Sequence, residues 1–94
     1  MKGGAKKVKT YLLEYVSPYS RVNCSSFEIA KMQFVRDIKN DVGCDIDMSI
    51  LLAINAFAGK NWDEYIMDLS LEDFNELFGE DIATITELEV VTIL

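Results

Sequence analysis

The sequence predicts a small α+β domain, in which a sheet of two or three strands from the two ends of the chain packs against about four helices. Segments rich in β-branched residues and alternating in polarity lie near both termini. The middle of the chain repeats a helix-start residue followed by apolar residues three and four positions apart. Half of the 94 residues are apolar, which is enough for a core without disulfides or metal ions.

The N-terminal part of the chain is predicted to hold a tail and the first strands. Residues 1–7 contain three lysines and two glycines, which is typical of a flexible basic tail. Residues 8–16 alternate between two largely apolar faces, so we predict a strand that is covered on both sides. Residues 19–23 are a candidate second strand, and a single domain is expected to span residues 8–94.

The first helix is predicted to begin at Ser25, because Ser25 and Glu28 have the spacing of a capping box. Apolar residues then recur at spacings of three and four, which defines a face to be buried, and Gly43 is expected to end the helix. The opposite face carries three basic residues that we expect in solvent: Lys31, Arg36 and Lys39.

The second helix is predicted over residues 48–58, between a capping Asp47 and a terminating Gly59. Its apolar residues point in nearly every direction around the helix axis. A helix of this kind is typical of the centre of a domain, so we expect it to be buried on all sides.

Two shorter helices and a strand complete the pattern. Asn61 with Glu64, and Ser70 with Asp73, have capping-box spacing and predict a third and a fourth helix. Residues 82–94 alternate and are rich in β-branched side chains, which predicts a final strand that is buried on both sides near its end. Strands at both termini with helices between them define the α+β class.

Charge is distributed very unevenly along the chain. Residues 1–60 contain nine Lys/Arg and six Asp/Glu, a net charge of +3, whereas residues 61–94 contain ten Asp/Glu and no base, a net charge of −10. A distribution this asymmetric creates a directional field that favours basic partners. Two interpretations are open: a functional acidic surface, and a solvated face that keeps the protein in solution.

The sequence lacks the residues that most enzymes use. It contains no histidine, which removes the commonest general base and most catalytic zinc ligands. Two cysteines, Cys24 and Cys44, are too few for a zinc framework. Glu76 and Glu80 form a carboxylate pair at helical spacing, but nothing in the sequence marks a pocket around them. We therefore predict that the protein is not an enzyme and uses no cofactor or metal.

The predicted location is the cytoplasm. No signal peptide is evident at the N-terminus, and the longest apolar run, residues 50–58, is too short to span a bilayer. Both cysteines are expected as free thiols in that reducing compartment. No membrane association is expected, and direct nucleic-acid binding is disfavoured because phosphate binding needs positive charge.

One segment resembles a known family. Residues 57–65, Phe-Ala-Gly-Lys-Asn-Trp-Asp-Glu-Tyr, are similar to the aromatic–x–Gly–x–Asn–(Leu/Trp)–Asp segment of the barstar family. Proteins of that family are small, acidic and intracellular, and they inhibit a ribonuclease by plugging its basic active site. The resemblance implies that Phe57 matches the loop aromatic and Asp63 the first inhibitory aspartate, while Met67 stands where the family has its main contact aspartate.

A second resemblance concerns general character. The chain is similar to the small, acidic, histidine-poor inhibitors of host defence that phages encode, of which anti-CRISPR proteins are the best-known group. Several such inhibitors present carboxylates that imitate a nucleic-acid backbone and occupy the basic groove of an effector. The resemblance implies a phage nucleic-acid mimic that acts through a protein–protein interaction.

These observations predict a small acidic protein inhibitor that binds the basic nucleic-acid-binding surface of a nuclease or CRISPR-type effector and competes with nucleic acid. The alternative is a non-enzymatic structural or adaptor module, including a homodimer formed through a sheet edge or an apolar helix face. Trp62 is expected to pack in the core. The predicted partner-binding residues are Asp63, Tyr65, Asp68, Glu72, Glu76, Glu80 and Asp81.

Overall fold

The computed structural model of the chain describes residues 5–40, 48–79 and 81–93. The strands and helices in these ranges confirm the predicted α+β class. The predictions made for residues 1–4, Gly43, Cys44, Asp47, Glu80 and Leu94 lie outside the described residues. The elements are β1 (Ala5–Tyr15), β2 (Ser20–Cys24), α1 (Phe27–Lys39), α2 (Met48–Ala58), α3 (Trp62–Asp68), α4 (Leu71–Phe78) and β3 (Ala83–Ile93).

The three strands form one antiparallel sheet in the order β2-β1-β3. The central strand β1 pairs with β3 along its whole length, starting with Ala5 opposite Ile93. In contrast, β2 pairs only with residues 11–15 of β1. β1 begins three residues earlier than predicted, because β3 provides backbone partners for residues 5–7. The N-terminal and C-terminal strands therefore lie side by side in one sheet. The sequence predicts that both belong to the sheet but does not predict the strand order.

One face of the sheet is packed and the other is open. Leu13, Tyr15 and Ile85 share the packed face and are almost completely buried. On the opposite face, Val8 and Val90 lie opposite each other and expose 40% and 46% of their surface. The expectation that the terminal strands are covered on both sides is wrong, because the described core side chains of β1 and β3 all lie on one face.

An aromatic cluster joins α1 to α4 at the centre of the core. The ring centroids of Phe34, Phe74 and Phe78 lie 5.0 Å from one another, and the ring of Tyr15 lies 6.1 Å from that of Phe34. Aromatic contacts of this kind add roughly 0.5–1.5 kcal/mol per pair to the burial of the rings. The cluster therefore ties the inner face of α4 to α1 and to the sheet.

α1 begins one residue later than predicted. Ser26 is the N-cap, and its hydroxyl accepts a hydrogen bond from the Ile29 backbone N–H at 3.1 Å. Ser25 instead lies in the bend that follows β2, so Glu28 cannot close a capping box with it. The predicted apolar stripe is confirmed by the burial of Ala30, Phe34 and Ile38.

α2 has the predicted bounds but not the predicted surroundings. Gly59 follows its last residue with a φ of 69°, a left-handed conformation that favours glycine and ends the helix. Leu51 and Ile54 are buried, whereas Leu52 is 63% exposed and Phe57 is 89% exposed. The prediction of a fully buried central helix is wrong, because α2 packs mainly against α3 at the edge of the domain. None of the helices in the described ranges has the length and apolar content of a membrane span.

The two short helices begin where the sequence predicts. The hydroxyl of Ser70 accepts a hydrogen bond from the Asp73 backbone N–H at 3.1 Å, which caps α4. Asn61 occupies the N-cap position of α3 but makes no capping bond to the backbone. Its side-chain amide donates to the Glu64 carboxylate at 3.4 Å instead. α3 and α4 thus lie in sequence between the edge helix α2 and the last strand, where they carry most of the predicted site residues.

Candidate functional site

Two of the three acids of α3 are paired with lysines from the first sixty residues of the chain, and the third, Glu64, accepts a hydrogen bond from the Asn61 amide instead. The Asp63 carboxylate lies 3.0 Å from Lys39 Nζ of α1, and the Asp68 carboxylate lies 2.7 Å from Lys60 Nζ. In each pair, the hydrogen bond from the lysine holds the pKa of the carboxyl below its ordinary value. These surface pairs contribute little to stability, but they cancel much of the negative potential on this side of α3.

The acids of β3 are paired in the same way. Glu87 lies 3.2 Å from Lys9 Nζ, and Glu89 lies 3.5 Å from Lys7 Nζ on the neighbouring strand. The Tyr11 hydroxyl also donates to Glu87 at 3.1 Å. The hydrogen bond from Lys9, followed by that from Tyr11, lowers the pKa of the Glu87 carboxyl. The base-free half of the sequence therefore obtains counterions from the other half once the chain is folded.

The acids of α4 differ from the paired acids of α3 and β3. Glu72, Asp73 and Glu76 are exposed, and within the described ranges none of the three forms an ion pair. Their spacings of one, three and four residues place them on one side of the helix. The opposite side carries Phe74 and Phe78, which are buried in the aromatic cluster. α4 therefore directs three carboxylates outward without a described counterion.

A groove between α3 and α4 lies beside these carboxylates. It has a volume of about 410 Å³ and combines apolar side chains with a phenol and two carboxylates. Leu77, which is 44% exposed, continues the outer side of α4 next to the acids. This surface has the composition of a protein contact area, with apolar and aromatic groups bordered by charge. The groove is lined by Tyr65, Leu69, Asp73, Glu76 and Leu77.

A larger groove of about 610 Å³ lies on the other side of α3, against α1. Its apolar part is formed by Met32, Val35 and Met67. Bases from α1 and acids from α3 line it together, so its walls largely neutralise each other. The remaining lining residues are Arg36, Lys39, Asn40, Asp63, Glu64 and Asp68.

The predicted partner-binding residues therefore fall into separate groups. Tyr65 and Glu76 come together in the α3–α4 groove, and Glu72 lies on the same outer side of α4 as Glu76. Asp63 and Asp68 lie together on the α1 side of α3, where both are paired. The other two residues are not part of either group: Asp81 is exposed in the turn before β3, and Glu80 lies outside the described residues.

Sequence reasoning did not assign Asp73 and Leu77 to the site. The position of Asp73 in the first turn of α4 suggested only a favourable interaction with the helix dipole. A helical projection of α4 was the signal that could have found both residues, because it places them on the same side as Glu72 and Glu76. The exposed ring of Phe57 was also missed, since its place in an apolar helix indicated burial.

Lys31 is buried, and the expectation that it lies in solvent is wrong. Only 2% of its surface is exposed. Its Nζ donates hydrogen bonds to the backbone carbonyls of Met67 at 2.6 Å and Leu69 at 3.1 Å, and it lies 3.2 Å from the Glu28 carboxylate. A lysine satisfies the last carbonyls of a helix well, because they carry partial negative charge. Lys31 therefore fixes the junction between α3 and α4, which places Tyr65 beside the acids of α4.

The described residues contain few groups suited to bond-making chemistry. Cys24 is a free, buried thiol, and burial followed by the nearby Asp37 charge raises the pKa of the thiol. A raised pKa keeps a thiol protonated and unreactive. Across residues 5–40, 48–79 and 81–93, no three His, Cys, Asp or Glu side chains lie close enough to hold a metal ion.

Comparison with protein-family models, with curated proteins and with solved structures found no match for the chain.

Proposed function

We propose that the protein is a non-enzymatic inhibitor that places the outer side of α4 against a basic, nucleic-acid-binding surface of another protein. Nucleic acid would then compete with the protein for the same surface. One observation carries this proposal: Glu72, Asp73 and Glu76 lack described counterions, whereas Asp63 and Asp68 of α3 and both acids of β3 have them. Unpaired carboxylates on one helix side are the groups most able to bind arginines and lysines of a partner.

Electrostatics supports binding on this side of the molecule. The chain carries a net charge of −7, which accelerates its encounter with a basic partner. Paired acids contribute less to such steering, because their lysines oppose the attraction at short range. The partner would therefore approach α4 in preference to the α1–α3 groove, whose charges are mixed.

Apolar contacts would add affinity next to the charged ones. Tyr65 and Leu77 line the groove beside Asp73 and Glu76. Tyrosine is enriched among the residues that contribute most to protein interfaces, because its ring buries much area at a low entropic cost. An arginine of the partner can stack on such a ring while a carboxylate binds its guanidinium group.

The proposed contact set differs from the one that the sequence predicts. Glu72, Glu76 and Tyr65 remain in it, and Asp73 joins them. Asp63 and Asp68 become secondary contacts, because a partner would have to displace Lys39 and Lys60 to reach them. The class of inhibitor, barstar-like or anti-CRISPR-like, is part of the proposal and rests on the resemblances of the sequence.

A capture experiment with matched variants tests the proposal. The tagged chain is incubated with cell lysate at low and at high salt, and the bound proteins are identified by mass spectrometry. A parallel bait carries E72Q, D73N and E76Q. We expect a nucleic-acid-binding protein to be captured at low salt, to be released at high salt, and to be lost with the substituted bait. Labelled nucleic acid should also be displaced from the purified partner by the unsubstituted chain.

The control bait carries D63N, D68N and E87Q, which also removes three negative charges but takes them from paired acids. We expect this bait to capture the same protein as the unsubstituted chain. Equal loss with both baits would mean that net charge alone decides binding. Capture that is independent of charge and salt would contradict the inhibitor proposal and favour the adaptor alternative.

A further inference from the structure

The outer edge of β3 carries backbone groups that point away from the sheet. In an antiparallel sheet, successive residues of a strand direct their N–H and C=O alternately to one side and to the other. Ile85 directs both groups away from β1, because the Asn75 amide bonds to them at 2.8 Å. Glu87, Glu89 and Val91 follow at intervals of two residues, so their N–H and C=O groups point the same way.

This edge has room for another strand. Beside Ile85, the Asn75 amide takes the place that a peptide group of a neighbouring strand would occupy. The edge continues past it, and residues 86–91 are all exposed. Among the described residues, no group bonds to the outward N–H or C=O of residues 87, 89 and 91. These groups are thus free to pair with an added strand, as edge groups in general are.

The two faces of this edge differ in chemistry. Glu87 and Glu89 lie on one face, and their side chains remain 40% and 48% exposed although each is paired with a lysine of β1. Leu88 and Val90 lie on the other face and expose 39% and 46% of their surface. Side chains that lie opposite each other on paired strands are in contact. A strand that fits this edge therefore alternates basic residues with apolar ones.

Charge favours a basic segment at β3 over the other possible strand additions. β1 also has a free edge, because β2 pairs only with residues 11–15. Its exposed Lys7 and Lys9 suit an acidic segment, which the net charge of −7 repels. A second copy of the chain fits β3 poorly, since antiparallel pairing of two β3 strands about Leu88 places Glu87 of one opposite Glu89 of the other.

We infer that the β3 edge from Glu87 to Val91 binds an extended segment of a partner protein, in which basic and apolar residues alternate, as a fourth strand of the sheet. In such strand addition, backbone hydrogen bonds supply affinity and alternate side chains supply specificity. The basic residues lie opposite Glu87 and Glu89, so their own N–H groups point at β3. The acids of α4 take no part, and the inference is therefore independent of the inhibitor proposal.

Two matched peptides test this inference. Both have the sequence Lys-Val-Lys-Val-Lys-Val with blocked ends, and one is N-methylated at its lysines whereas the other is N-methylated at its valines. The two have the same charge and composition, but only the valine-methylated peptide keeps the N–H groups that face β3. We expect it to bind the unsubstituted chain at least about tenfold more tightly than the lysine-methylated peptide, as measured by NMR titration. Equal binding of the two would show that charge alone attracts them and would overturn the inference.

Hydrogen exchange locates the bound peptide. With saturating valine-methylated peptide, the amides of Glu87, Glu89 and Val91 should exchange at least about tenfold more slowly. The amides of Leu88 and Val90 point towards β1 and serve as internal controls that should change little. Slower exchange at the β1 edge in place of the β3 edge would overturn the inference.

The α4 variant E72Q/D73N/E76Q separates this inference from the inhibitor proposal. At physiological salt it should bind the valine-methylated peptide within about threefold of the unsubstituted chain, because its β3 edge is intact. Loss of peptide binding in this variant would place the peptide on α4 and overturn the inference. Loss of captured partner with retained peptide binding would show that the two surfaces act separately, as we infer.

Discussion

α3 and α4 are consecutive short helices that both carry acids in their first turn, yet their acids have different environments. On α3, Asp63 and Asp68 are held by Lys39 and Lys60. On α4, the outward carboxylates have no described counterion. The difference teaches that the acids available to a partner are selected by where the fold places the lysines. The number of acids in a segment does not determine which of them a partner can bind.

α3 and α4 also differ in the contacts that hold them to the rest of the domain. α3 is held at its end by the buried Lys31 and along its outer side by ion pairs. α4 is held by its apolar inner side and by the Asn75 amide, none of which involves its acids. The carboxylates of α4 can therefore be substituted without weakening the packing of the helix. Substitutions can thus compare the acids of α3 with those of α4.

The largest expected effect concerns the attachment of α4. Phe74→Ala removes a buried ring from the aromatic cluster and should reduce the free energy of unfolding by about 3–5 kcal/mol. Urea unfolding followed by circular dichroism measures this loss. Leu77→Ala on the outer side of the same helix is the control and should cost less than about 1 kcal/mol. Similar losses for the two variants would mean that α4 is not held by its inner side.

A smaller effect is expected for the amide that joins α4 to β3. Asn75→Ala leaves the N–H and C=O of Ile85 without their side-chain partners and should reduce the free energy of unfolding by about 2 kcal/mol. Asn75→Asp keeps the acceptor for the Ile85 N–H but places a carboxylate oxygen against the Ile85 carbonyl, so it should cost at least as much. Thermal unfolding ranks the two variants against Glu76→Ala, an exposed neighbour whose loss should be nearly neutral. If Asn75→Ala is as stable as that control, the amide does not anchor the helix.

The smallest expected effect is the pH dependence of the paired acids. The carboxyls of Asp63, Asp68 and Glu87 have pKa values below their ordinary range in the folded chain. Their pairs therefore stabilise the fold fully above the unfolded pKa of about 4, and this contribution is lost as the pH falls through the lower folded values. The urea midpoint should decrease as the pH is lowered through this range. The decrease should be smaller in K39M and K60M. An unchanged slope in these variants would show that the pairs do not form in solution.

Much of the fold is encoded in local sequence signals. Ser70 caps α4, and Gly59 ends α2 in a left-handed conformation that few other residues adopt readily, as their spacing predicts. The buried stripe of α1 follows from its helical period. In contrast, the choice between Ser25 and Ser26 as the cap of α1 depended on where β2 ends. These two residues are chemically identical, so local chemistry could not separate them.

The features that sequence reasoning missed depend on contacts between distant parts of the chain. Lys31 is buried because the end of α3 presents carbonyls to it. Its spacing of four from Phe27 and three from Phe34 places it on the buried side of α1, but the charge of a lysine suggested solvent. Leu52 and Phe57 of α2 are exposed because, among the described residues, the helix packs mainly against α3. The division of the acids has the same origin, since Lys39 and Lys60 are neighbours of α3 and not of α4. Composition identified the acidic half, but only tertiary structure separates its paired acids from its unpaired ones.

The most direct test of the central claim measures how the affinity for the captured partner depends on salt. Titrations at several salt concentrations compare the unsubstituted chain with E72Q/D73N/E76Q and with D63N/D68N/E87Q. We predict that the α4 variant binds at least about tenfold more weakly and has a flatter salt dependence, while the control variant stays within about threefold. Two variants that weaken binding equally, or an α4 variant that binds as well as the unsubstituted chain, would contradict the claim that the outer side of α4 is the binding surface.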